Sequence, residues 1–168
     1  ATFAQEFAGI STAATTTGAQ TISGAGSLST GAAAKTFTVN DAASVADDLT
    51  ISATISGAGG FTKAGAGTLF LNGNTVAGPV SVGAGTLRGA FTANGGLSVQ
   101  AGGTLTPGSS VTAGTITAST LAFGAGASSV AINIGNGPSD QINVVNAGGL
   151  TAAGTATFTV SPSGGFTA

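Results

Sequence analysis

Gly65-Ala66-Gly67-Thr68-Leu69, Gly83-Ala84-Gly85-Thr86-Leu87 and Gly102-Gly103-Thr104-Leu105 are three copies of one phrase. Their threonines, Thr68, Thr86 and Thr104, are evenly spaced along the chain. A fixed period of about 20 residues marks stacked coils, in which each repeat buries its apolar face against its neighbours. The copies extend backwards. Phe61 to Leu69 aligns with Leu97 to Leu105 without a gap, and Val80 to Leu87, between them, is one residue shorter. Each unit reads as strand, Gly-rich corner, strand and wider loop. Leu69, Leu87 and Leu105 are expected in one buried column and Phe61, Val80 and Leu97 in another, with Phe70, Arg88 and Thr106 facing outward. Lys63 breaks the pattern, because Val82 and Val99 hold the equivalent inward position. It is expected at a strand end, with its ammonium reaching water.

Short runs of the same character recur at 36–39, 49–51, 68–71, 80–82, 97–99, 115–117, 130–134, 142–144 and 157–160. Most alternate apolar with polar residues, the period of a strand with one buried face, and are rich in Thr, Val and Ile. No stretch sustains a helical apolar stripe free of Gly, so helix should be scarce. The expectation is an all-β fold, a single-domain β-solenoid over residues 1–168 with coils of about 18–20 residues. Residues 55–110 carry the clearest repeats, 111–168 read as wider coils, and 1–20 as an N-terminal docking or capping segment. Thr21 to Gly26 recurs as Thr54 to Gly59, at a separation that fits two shorter coils. At about 4.8 Å per coil, about nine coils make a rod of roughly 40 Å.

Eight side chains are formally charged: Glu6, Lys35, Asp41, Asp47, Asp48, Lys63, Arg88 and Asp140. That is 5% of the chain, against about 25% in ordinary globular domains, so hydroxyls, amides and small side chains must make the surface. Without a basic patch there is nothing to neutralise phosphates, and nucleic acid is not an expected partner. The chain has no His and no Cys, which removes Ser-His-Asp and Cys-His catalysis, thiolate metal sites and disulfides. Asp47 and Asp48 are neighbours on an extended chain and point to opposite faces, so they do not form a carboxylate pair. No enzyme activity, cofactor or metal is expected. Gly135 to Ile142 has the outline of a calcium-binding nonapeptide, but it occurs once and contains Pro138. Asp140 is expected instead to cap backbone N–H groups of its loop. Thr-x-Thr pairs at 36/38, 104/106, 115/117 and 157/159 raise ice binding, yet only the column of Thr68, Thr86 and Thr104 repeats; one period back, Thr106 meets Arg88 and then Phe70. No apolar run approaches the roughly 18–20 residues of a membrane helix. The chain starts with Ala rather than Met, which suits a processed or excised segment.

The stretch from Gly59 to Thr75, which includes Lys63, Gly65-Ala66-Gly67-Thr68-Leu69 and Asn72-Gly73-Asn74, resembles the passenger-associated repeat of bacterial autotransporter proteins. Val80 to Leu87 is similar to its second half. Gly103 to Ser109 and Ser139 to Val144 are similar to segments that follow it in such passengers. The close likeness covers about residues 55–110 and a weaker one runs to 160. The resemblance implies a right-handed parallel β-helix exported to the bacterial cell surface. Residues 1–50 match only in style, and no outer-membrane barrel region is present.

These readings together point to a structural, extracellular β-solenoid that self-assembles into a surface filament or fibre. Nothing in the sequence looks like a charged cap at either end. Head-to-tail stacking of identical copies is a heterologous contact that propagates. Phe3, Phe7 and Ile10 at one end and Phe166 at the other are the candidate assembly residues, Phe3, Phe7 and Ile10 as a strand added to a neighbour. The expected partner is the chain itself, with cell-surface or matrix components as further candidates. The alternatives are a passenger or adhesin fragment acting as a monomer, and an ice-binding solenoid.

Overall fold

The structure is a computed structural model and describes residues 7–13, 18–109, 111–135 and 137–162. Among these residues there are eighteen strands and no helix. The first coil holds β1 (Gly9–Ser11), β2 (Gln20–Ile22) and β3 (Ser27–Ser29). The second holds β4 (Lys35–Thr38), β5 (Leu49–Ile51) and β6 (Thr54–Ser56). The third and fourth have two strands each, β7 (Phe61–Ala64) with β8 (Thr68–Val76) and β9 (Val80–Val82) with β10 (Gly85–Ala93). The fifth holds β11 (Leu97–Val99), β12 (Gly103–Pro107) and β13 (Thr115–Ala118). The sixth holds β14 (Leu121–Phe123), β15 (Ala127–Ile134) and β16 (Gln141–Val144), and the seventh β17 (Leu150–Ala152) and β18 (Thr155–Pro162).

Strands pair in parallel with their counterparts one coil away. One sheet runs β1-β4-β7-β9-β11-β14-β17, and a second runs β2-β5-β8-β10-β12-β15-β18 with β13 and β16 as a branch; β3 and β6 form a third, short sheet. This is a parallel β-solenoid. The expected columns form as read: Leu69, Leu87 and Leu105 lie in register, as do Phe61, Val80 and Leu97. The Leu column extends both ways, from Leu49 through Leu105 to Val130, all at most 2% exposed. Burying each such side chain is worth about 1.5–3 kcal/mol, and no coil supplies that alone. Phe37 and Phe61 stack with centroids 4.5 Å apart inside the second and third coils.

The corner glycines close the coils. Gly85 sits at φ 64°, and a Cβ there would lie 2.4 Å from the Gly65 carbonyl oxygen of the coil before. Only Gly takes that backbone conformation at so close an approach.

Two expectations fail on coil length. The stack has seven coils among the described residues, not nine, because only the middle ones keep the short period of the repeated phrase. The step from Val80 to its register partner Leu97 is short, but those from Gly9 to Thr36 and from Leu121 to Leu150 are each more than half as long again. The extra residues fall at 39–48, between β12 and β13, and between β15 and β16, after which β5, β13 and β16 resume pairing. The twin phrases Thr21 to Gly26 and Thr54 to Gly59 are also not equivalent positions. Thr21 lies opposite Thr50, while Thr54 lies opposite Ser27. The match is one of composition at corners, where few residue types fit, and it does not mark a repeat.

Candidate functional site

Three polar nodes concentrate most of the charge. Lys63 lies in β7 between Phe37 and Val82 in register, and it is fully buried, which overturns the expectation that it reaches water. The strand periodicity that put valines at this position holds for Lys63 too, so its side chain enters the core. It is tolerated there because its ammonium finds three acceptors: Nζ donates to the carbonyls of Ala64 at 3.0 Å, Gly65 at 2.7 Å and Ala84 at 3.0 Å. The Lys thus bolts one Gly-rich corner to the next coil's corner. Loss of hydration lowers its pKa from 10.5 to about 8, and the negative charge of Asp48 works against that fall.

Asp48 is buried at the end of the 39–48 excursion. Its Oδ1 accepts from the Ala42 N–H and its Oδ2 from the Thr68 N–H in the next coil, both at 2.6 Å. Its neighbour Asp47 turns the other way, as the alternation predicts, and forms a two-pronged ion pair with Arg88: Nε to Oδ1 at 2.5 Å and Nη2 to Oδ2 at 2.7 Å. The Arg88 guanidinium carbon also lies 5.8 Å from the centre of the Phe70 ring. Asp140 caps its loop as expected. It accepts from the Asn133 backbone at 2.8 Å and side chain at 3.2 Å, and from Gly114 N–H in the preceding coil at 3.0 Å. Asp48 and Asp140 accept from backbone donors and tie an excursion to the adjacent coil, while Asp47 reaches across the third coil to Arg88 in the fourth. These nodes hold the stack together and present no free acid or base. No group of three or more His, Cys, Asp or Glu residues able to hold a metal ion occurs among the described residues.

Hydroxyls line the outside of the second sheet. Thr68, Thr86, Thr104, Ser129 and Thr157 form one in-register column. The column beside it reads Phe70, Arg88 and Thr106, so the hydroxyl rank is one residue wide there.

The two ends of the stack differ from everything between them. In the last described coil the inward columns emerge into solvent: Leu150 is 59% exposed, Phe158 55% and Val160 57%, whereas Leu121 and Val130 one coil earlier are at most 2% exposed. The sequence reading missed these residues, because Phe158 and Val160 carry the same alternation as buried strands and only their position in the stack exposes them. At the other end Phe7, Ile10, Ile22 and Leu28 are half-buried against the core. Phe7 and Ile10 belong to their own chain's first coil: Ile10 pairs with Phe37, and the Phe7 ring centre is 5.9 Å from that of Phe37. Ile22, Leu28 and Ala53 line a shallow cavity of about 160 Å³ at this end. Phe3 and Phe166 lie outside the described residues. No charged residue occurs in 7–34 or in 141–162. The outer edges of β1, β2, β17 and β18 therefore lack the charged side chains that usually blunt an edge strand. No family model, curated protein or solved structure matches this chain.

Proposed function

We propose that the protein is a structural, extracellular β-solenoid subunit whose copies stack end to end into a surface filament. The observation that carries this reading is the emergence of Leu150, Phe158 and Val160 from the core at an uncharged strand edge. An incoming first coil that continues the register would set Val160 against Ile22, Ala152 against Ile10 and Phe158 against Gln20. Two of these three meetings extend apolar columns, and strand edges would gain backbone hydrogen bonds on two faces. The likeness to autotransporter passengers supports a place on the bacterial cell surface.

Negative-stain electron microscopy with size-exclusion chromatography tests the proposal. Filaments should show an axial repeat of about 34 Å, seven coils at the β spacing. Val160→Asp, at a site exposed in the single subunit, should leave the strand signal in circular dichroism unchanged and abolish polymers. A clean monomer for the unaltered chain, or filaments unaffected by Val160→Asp, refutes stacking through this end. The monomer result favours the second reading, a passenger or adhesin segment in which the apolar edge is met by further coils of a longer chain.

A further inference from the structure

We propose that Asn72 is a site of spontaneous backbone rearrangement in the folded protein, and that Asn94, which has the same Asn-Gly sequence, is protected by the fold. In this chemistry the backbone nitrogen of the following glycine gives up its proton and bonds to Cγ of the asparagine. The Cγ–Nδ2 bond breaks and the side-chain nitrogen leaves as ammonia, giving a five-membered succinimide. Solvent water then opens one of its two C–N bonds, leaving aspartate or isoaspartate. The reaction needs no oxidant and no partner. It needs a backbone free to swing the glycine nitrogen onto Cγ.

Asn72 and Gly73 meet that need. Both are exposed. They sit at a bulge in β8: Asn72 pairs with Ala90 and Asn74 with Phe91, so Gly73 is the extra residue with no register partner on β10. On the opposite side the pairing of β5 stops at Leu71. Gly73 has φ 75°, and a Cβ built on it would find nothing within 4 Å. Gly73 therefore has no register partner on either side, and Asn72 is paired on the β10 side alone.

Asn94 and Gly95 are also exposed, but their backbone is fixed. Asn94 N–H donates to the Val76 carbonyl at 2.9 Å, and Gly96 N–H donates to the Ala93 carbonyl at 3.3 Å, closing the turn. A Cβ on Gly95 would lie 2.3 Å from the Gly78 carbonyl carbon and 2.5 Å from the Pro79 nitrogen, so that backbone presses against the coil before. Rotation there breaks contacts on which the stack depends.

The product matters in so sparsely charged a chain. An aspartate at position 72 makes the formal net charge of −2 one unit more negative. The isoaspartate form adds a backbone methylene at the bulge, where an unpaired residue already loops out.

The test is ageing of the folded protein in mildly alkaline buffer, followed by unfolding, trypsin digestion and mass spectrometry. The three basic residues place Asn72 in fragment 64–88 and Asn94 in fragment 89–168. Fragment ions separate Asn94 from Asn136-Gly137, which shares that second fragment. Modification is read as a gain of one mass unit and as isoaspartate methyl acceptance. The expected result is reaction at Asn72 within a factor of a few of its rate in the denatured chain, with Asn94 slowed by an order of magnitude or more relative to denatured. Asn72→Gln should remove the modification from fragment 64–88. Equal protection of both sites, or faster reaction at Asn94, overturns the inference.

Discussion

Replacing Lys63 by Met tests whether a buried ammonium between two coils behaves as its surroundings require. At neutral pH the substitution removes the donor to the carbonyls of Ala64, Gly65 and Ala84. The Ala64 oxygen keeps the Val39 N–H at 2.8 Å, so the loss falls mainly on Gly65 and Ala84. An unpaired buried carbonyl costs about 1–3 kcal/mol, and removing a buried charge offsets part of that, for a net loss of about 2–4 kcal/mol. The pH dependence is sharper. Lys63 holds its proton below pH 8 in both states, and stability is flat there with respect to this group. Between its folded value of about 8 and the ordinary 10.5 the unfolded chain binds more protons, so stability rises with pH. At 1.36 kcal/mol per unit the gain is at most about 3 kcal/mol, complete above pH 10.5. The chain has no His, Cys or Tyr, and every other ionisable group is present in both proteins and cancels in the comparison. Denaturant unfolding followed by circular dichroism from neutral to strongly alkaline pH should show a rise for the unaltered chain and none of that rise for Lys63→Met. A flat or falling profile for the unaltered chain, or the same rise in the variant, refutes the reasoning.

Three further substitutions probe other joints of the stack. Gly85→Ala forces a side chain to φ 64° and against the Gly65 oxygen; we expect a loss of about 3 kcal/mol or more, seen as a lowered denaturant midpoint. Asp140→Ala leaves Gly114 N–H and Asn133 N–H without their acceptor and should cost about 2–4 kcal/mol, with hydrogen exchange quickening first in β13 and β16. Arg88→Met breaks the pair with Asp47, whose side chains are 12% and 24% exposed, and should cost only about 1 kcal/mol, shrinking as salt is added. A cost above that of Asp140→Ala would mean that the outer ion pair matters more than the buried caps.

The legible part of this fold was the part with one repeat length. Strands 80–82 and 97–99 were placed to the residue, because Gly corners bracket them and the central coils leave no slack; 49–51 was placed to the residue from its apolar–polar–apolar alternation. The inward columns followed from alternation alone. The coils after residue 111 were read as wider, but those before residue 55 were not, because excursions carry no periodic signal, and dividing the chain length by the central period gave too many coils. Lys63 was misread for an energetic reason: charge argues for water, but the pleat had already fixed its direction, and three carbonyls at the corner make burial tolerable. The ion pair of Asp47 with Arg88 joins groups far apart in the chain and in different coils, and it has no local sequence signature. The exposed end residues could not be read from pattern, since Phe158 looks like Leu105 until its place in the stack is known.

Contour length and pitch are uncoupled in this molecule. One coil runs only from Val80 to Leu97 and another from Leu121 to Leu150, yet each advances the stack by a single strand spacing. The surplus is taken up at 39–48 and between β15 and β16, and Asp48 and Asp140 close the base of each connection from inside. A peptide spliced beyond such a staple lengthens the loop without altering the register on either side, at an entropic cost that grows only slowly with its length. The stack is in this sense a ruler with pockets: its marks stay evenly spaced while the material hung between them is free to change.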